Sequence, residues 1–188
     1  MQGHFAPRRA AAREQVIEAF GSERYARLLA SLDRLAHDPP PGPQAAAPAR
    51  DVLPAAVRKA YRQADRRMRR ARRAPRGQDR DVALHQARKS ARRARYAAEA
   101  ASPASGQPAR KFAKQMKKVQ TVIGDHQDAV IARQAARDLG IGAHLAGENA
   151  FTYGLLYERE LHQAERLQAR ARTVWKHASR RRYRTWMN

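Results

Sequence analysis

The chain has 188 residues, and 39 Lys and Arg against 17 Asp and Glu give a formal net charge of +22. That length suits one domain or two small bundles and can bury a core, while the charge calls for an anionic partner such as nucleic acid, polyphosphate or an acidic membrane. Cysteine is absent, which excludes disulfides and thiolate chemistry, and no apolar run approaches a membrane-spanning length.

The first twenty residues are basic and lack the apolar core of a secretory signal, so the default expectation is a cytoplasmic protein. A short helix is predicted over 10–20, with Val16, Ile17 and Phe20 on one side. Gly21 stops it and Ser22 caps the next helix. That helix carries Tyr25, Leu28, Leu29, Leu32 and Leu35 as a regular apolar stripe, and it ends at Asp38 before three prolines. Residues 1–37 are thus an N-terminal helical segment. The Pro- and Ala-rich run DPPPGPQAAAPA, taken as 38–49, is a linker with little order of its own. The remainder, 50–188, is expected to be a helical bundle.

A long helix is predicted from about Asp51 to Arg73, with Asp51 as its cap. Leu53, Ala56, Val57, Ala60, Ala64, Met68 and Ala71 form its buried stripe. Arg58, Arg62, Arg66, Arg69 and Arg73 climb the opposite side. Pro75-Arg76-Gly77 breaks it, and Asp79 or Asp81 opens the next helix. There Leu84, Ala87, Ala91, Ala94 and Ala98 share a narrow stripe, mostly alanine, which lets a neighbour approach closely. His85, Arg88, Lys89, Arg92 and Arg95, with Tyr96 among them, share the other face. Like charges one turn apart repel, and a polyanion is the simplest compensation.

Ser102 to Pro108 reads as a loop. A helix from about Ala109 to Ile123 turns Phe112, Met116, Val119 and Ile123 inward and gathers Lys111, Lys114, Lys117 and Lys118 on the opposite half. Gly124 is expected to interrupt it. Asp125 and Asp128 then suit the N-terminal dipole of another helix ending at Leu139, before Gly140-Ile141-Gly142. A last, long helix runs from near Ala146 to about Ser179, anchored by Phe151, Leu155, Leu161, Leu167, Val174 and Trp175. The tail mixes arginines with Tyr183 and Trp186. No strand pattern competes, so the fold class is all-α, an antiparallel bundle with a long C-terminal helix.

At residues 84–100 the run LHQARKSARRARYAAEA resembles the signature of CHAD domains, the conserved-histidine α-helical domains. His85, Arg88, Lys89, Arg92, Arg93, Arg95, Tyr96 and Glu99 match in place. KKVQTVIGDHQDAVIA resembles a second family block through Lys118, Gln120, Gly124 and Asp128, and GSERYARLLASLDRL resembles the helix that closes the family's first half. The resemblance implies two helical bundles related by an internal repeat, a basic central channel and binding of inorganic polyphosphate. It covers most of 20–188, while the family's first half is largely absent. Residues 1–37 then read as a remnant of that half. The chain is a truncated domain, a fragment, or a protomer of a homo-oligomer that completes the channel with a partner.

On this reading the three cationic ladders line one groove for a linear polyphosphate, and affinity falls steeply with salt. Arginine grips phosphate oxygens with a fork and lysine acts as a point charge. His85 is either a bundle histidine orienting a neighbour or a phosphate donor whose protonation a polyanion favours. No His or carboxylate at i+3 or i+4 supports metal binding by it. His126, between Asp125 and Gln127, offers little more. No phosphate-binding loop and no paired-carboxylate set appears. The expectation is a binding module that serves polyphosphate granules, and not an enzyme, with no cofactor and no membrane partner. The alternatives are a nonspecific nucleic-acid-binding, nucleoid-like protein, and a metal-dependent phosphohydrolase using His85 or His126.

Overall fold

The computed structural model describes residues 2–188. They fall into two compact units that divide after Ala46. Five helices carry the fold, and no strand occurs among the described residues.

In the first unit α1 (Gln2–Gly21) and α2 (Glu23–His37) are joined at Ser22. The Ser22 hydroxyl caps α2 by accepting from the Tyr25 amide at 3.2 Å. α1 begins eight residues earlier than its apolar pattern predicts, because the Ala- and Arg-rich stretch around Pro7 favours helix. The leucine stripe of α2 exists, but Leu28, Leu29, Leu32 and Leu35 are all about half exposed.

The second unit contains α3 (Ala49–Arg73), α4 (Gln78–Leu145) and α5 (Phe151–Ala178), followed by two 3-10 turns, Arg181–Tyr183 and Thr185–Met187. α4 is two helices folded back at one residue. Gly106, at φ 64° and ψ −142°, makes the bend, in a conformation that side chains disfavour. The predicted loop over 102–108 is reduced to this point. Pro108 then sits in the first turn of the returning helix, where its missing N–H costs nothing. The two arms, 78–105 and 107–145, run antiparallel: Asp81 meets Arg133, and Arg88 meets Gly124. With α3 packed on α4 and α4 on α5, the unit is an up-and-down four-helix bundle.

The core follows the predicted stripes closely. Val57, Ala64, Met68 and Ala71 of α3 are buried, as are Leu84, Ala87, Ala91, Ala94 and Ala98 of the first arm. The alanine stripe leaves room for large side chains from the other helices. Phe112, Met116 and Ile123 are fully buried, each contributing roughly 1.5–3 kcal/mol. Ala56 differs, being exposed. The tail is part of the core. Met187 is buried, and Trp186 lies 6.4 Å from Phe112, ring centroid to centroid, in a chain that continues through Tyr61 to Trp175.

Several boundaries move for identifiable reasons. α3 starts at Ala49 behind Pro48 and has no side-chain cap, so Asp51 does not cap it. α4 starts behind Gly77, at φ 93°. Asp79 lies in its first turn, and Asp81 is buried rather than capping. Gly124 lies within continuous helix, so no new helix opens at Asp125, and both Asp125 and Asp128 are exposed. Gly140 does not stop the helix either: a Cβ there would stand 3.2 Å from the Tyr153 Cβ, so glycine serves close approach to α5. The helix ends instead at Gly147, φ 73°. α5 begins at Phe151, whose amide bonds the Asn149 side chain at 2.8 Å, and its expected anchors Phe151 and Leu155 are exposed.

Candidate functional site

Helical spacing separates the cations of the first arm into two lines. His85, Lys89, Arg92 and Tyr96 follow at i, i+4, i+7 and i+11. Arg88, Arg95 and Glu99 lie one step closer to the core. The inner line faces the second arm. The Arg88 guanidinium lies over Gly124, its Nε 3.3 Å from where a Cβ would stand. Lys117 and Gln120 precede Gly124 by seven and four residues, so they share that flank. Arg95, 17% exposed, has its Nε 3.5 Å from Glu99 Oε1 and its guanidinium 4.6 Å from the Tyr96 ring centre. From His85 to Arg95 this seam runs about 15 Å.

The seam has a property that an ordinary solvated basic face lacks. His85 Nδ1, Arg88 Nε, Arg95 Nε and Gln120 Oε1 are all buried and make no hydrogen bond. Buried polar atoms normally find partners. Four such atoms along one seam, three on nitrogen, mark a place built to meet further polar groups. Phosphate oxygens suit those that donate.

The other predicted cations stand elsewhere. Arg69 pairs with Asp65 on the flank of α3 that faces α5. A cleft of about 620 Å³ separates the two helices there, lined by Asp65, Arg69, Arg72, Arg172 and Lys176. Arg58 and Arg62 continue that flank at i−11 and i−7 from Arg69. Arg66 lies further round α3, away from the core. Arg93 follows Gln86 by seven residues on the flank of the first arm that meets α3, where Gln86 lines a cleft with Arg67 and Arg70. Lys111, Lys114 and Lys118 form a line on the second arm that faces α5, and the Lys118 charge acts on His177. The three ladders therefore line three different sides of the bundle and do not share one groove. The α3 ladder and the Lys111–Lys118 line both turn toward α5, from different sides, while the Arg88 line turns toward the second arm.

A buried polar network closes the bundle near the start of α4. His126, 1% exposed, places its Nε2 3.3 Å from Asp81 Oδ1, and Arg133 donates to Asp81 Oδ2 at 3.1 Å. Gln168 of α5 donates to Asp81 Oδ1 at 3.4 Å and stands 3.3 Å from His126 Nε2. Burial works to raise the Asp81 carboxyl. The hydrogen bonds and charges of His126 and Arg133 outweigh it and hold the carboxyl below its ordinary range. This is where the structure places His126: it pins three helices together. No group of three or more His, Cys, Asp and Glu placed to hold a metal occurs among the described residues. The sequence reading missed Arg133 and Gln168 and took Asp81 only for a helix start, because these partners lie 52 and 87 residues apart in the chain.

The family model described as "CHAD domain" matches residues 1–137. It takes in α1, part of the segment 1–37 read as a remnant of the family's first half, and stops before α5. Two proteins of Mycobacterium tuberculosis are similar: "Uncharacterized protein MT2285" of strain CDC 1551 / Oshkosh and "Uncharacterized protein Rv2226" of strain ATCC 25618 / H37Rv. Each is 38% identical over 155 residues, covering 79% of this chain and 28% of the relative. The chain thus matches little more than a quarter of the length of these relatives. No solved structure matches it significantly. With most of its length matched by the family model and its signature residues in place on one helix, the chain belongs to the CHAD domain family.

Proposed function

We propose that this chain binds inorganic polyphosphate along the seam between the two arms of α4. The observation that carries the reading is the set of buried nitrogens without a hydrogen bond on His85, Arg88 and Arg95, aligned along one stretch. Lys89, Arg92, Tyr96 and Lys117 border the same stretch and supply charge and a ring face. Polyphosphate binding is also what membership in the CHAD family leads one to expect. A flexible chain with about one charge per phosphate follows such a seam without base readout, and its counterions are released on binding. The cations on the other flanks, from Arg58 to Arg69 and from Lys111 to Lys118, attract the polymer at longer range.

The role is binding rather than catalysis, in a cytoplasmic setting and near polyphosphate granules. No helix among the described residues is long and apolar enough to cross a membrane. The test is binding of defined-length polyphosphate across a salt series, with the mass of the protein in solution measured alongside. A second copy completing the channel would appear as a dimer. Lack of binding at near-physiological salt would remove the proposal. The second reading, a nonspecific nucleic-acid binder, draws on the spread of cations over three flanks. Competition separates the two, since DNA displaces long-chain polyphosphate poorly if the seam is built for phosphate. Metal-dependent phosphate release would instead favour a hydrolase.

A further inference from the structure

At the end of α5 the chain turns back on itself and brings four basic side chains together. His177 Nε2 lies 2.9 Å from the Tyr183 hydroxyl, which also accepts from Arg182 Nη2 at 3.0 Å. The His177 and Tyr183 ring centres are 5.6 Å apart, and the Arg182 guanidinium sits 4.9 Å above the Tyr183 ring. Arg180 stands in the same turn, and Lys118 approaches from the second arm of α4. Lys118, His177, Arg180 and Arg182 form no ion pair. The cluster lies on the α5-facing flank of the second arm, away from the seam that holds Arg88.

We propose that Lys118, His177, Arg180 and Arg182 form a second anion site, separate from the seam, that takes a single phosphoryl group carrying about two charges. Such a group is either the end of a phosphate chain or free phosphate. The interior units of a chain carry only about one charge each and fit less well. The proposal rests on the geometry of this turn, so it does not require the seam to bind polyphosphate.

The hydrogen bonds make the site pH-sensitive. Tyr183 accepts from Arg182, so its own proton is free to go to His177 Nε2, which leaves the imidazole neutral. Burial acts with the charges of Arg180, Arg182 and Lys118 to push that imidazole below the ordinary histidine range. A bound dianion reverses the balance and favours the imidazolium. Binding therefore takes up a proton. Affinity for the dianion rises as pH falls through the histidine midpoint of the complex and levels off below that of the free protein.

The experiment is an NMR titration of the full chain with isotope-labelled histidine, free and saturated with either tripolyphosphate or orthophosphate. Its His177 signal is assigned by its loss in His177→Gln. The expected result is a midpoint below that of ordinary histidine in the free protein, raised by about one pH unit by at least one ligand. The corresponding gain in affinity for the dianion, with the ligand's own protonation counted separately, approaches about tenfold below both midpoints and is absent in His177→Gln. A rise with tripolyphosphate alone identifies a chain end, and a rise with orthophosphate identifies free phosphate. A His177 midpoint unmoved by both ligands overturns the proposal. The double variant Arg88→Ala/Arg92→Ala separates the two sites. It should weaken long-chain binding and leave the His177 response intact. Loss of that response in the double variant would assign it to the seam and sink the second site.

Discussion

Arg88 lies across the face of Gly124, close enough that even a methyl group at residue 124 would stand 3.3 Å from its Nε. The glycine is in mid-helix, where it costs about 1 kcal/mol relative to alanine. Gly124→Ala is therefore expected to melt no lower than the parent and to bind polyphosphate about threefold more weakly, from roughly 0.5–1 kcal/mol of distortion in Arg88. Thermal melts and binding isotherms on the same samples check this. Unchanged affinity with a shifted Arg88 would remove the close approach from the site.

Arg88 and Arg92 should differ from Arg93, three residues of one basic run. Arg88→Ala removes a half-buried donor and is expected to cost about 1.5–3 kcal/mol of binding, a weakening of roughly 10–100-fold. It should also lower the slope of log affinity against log salt by about one. Arg92→Ala should follow in direction with a smaller loss. Arg93→Ala, on the flank toward α3, should change affinity little. A salt series on the three variants decides, and equal losses at all three would point to a diffuse field instead of a seam.

Asp81 is expected to govern acid stability. Its folded-state carboxyl is held below the ordinary range, so its contribution is present above the unfolded value near 3.8 and is lost as pH falls through the lower folded value. Asp81→Asn should cost about 1–3 kcal/mol at neutral pH, because the amide carries no charge and offers one acceptor oxygen where His126 and Arg133 use two. It should also flatten the fall in stability below about pH 4. Chemical denaturation at several pH values measures both effects.

The tail contributes stability as well as charge. Met187→Ala is expected to cost about 2–5 kcal/mol by leaving a cavity in the core. Deleting residues 180–188 should destabilise the bundle further. Polyphosphate affinity of Met187→Ala, measured well below its melting point, should stay unchanged. A deletion variant as stable as the parent would contradict the packing of Trp186 on Phe112.

The apolar stripes, the cationic ladders and the helical class were legible in the amino-acid order, because a helix repeats every 3.6 residues and each ladder is a local property of one segment. The signature from His85 to Glu99 also pointed to the family before any contact was known. Glycine carried two meanings that local reading does not separate. At Gly106 it bends the chain, and at Gly124 and Gly140 it admits a neighbour. Asp81 looked like a helix cap because acidic residues favour helix starts, whereas its partners lie 52 and 87 residues away. Only the tertiary structure decided which ladder meets which neighbour. Tertiary packing sent Arg88, Arg69 and Lys118 to three separate sides, and on one of them burial left His85 Nδ1 and Arg88 Nε without a hydrogen bond.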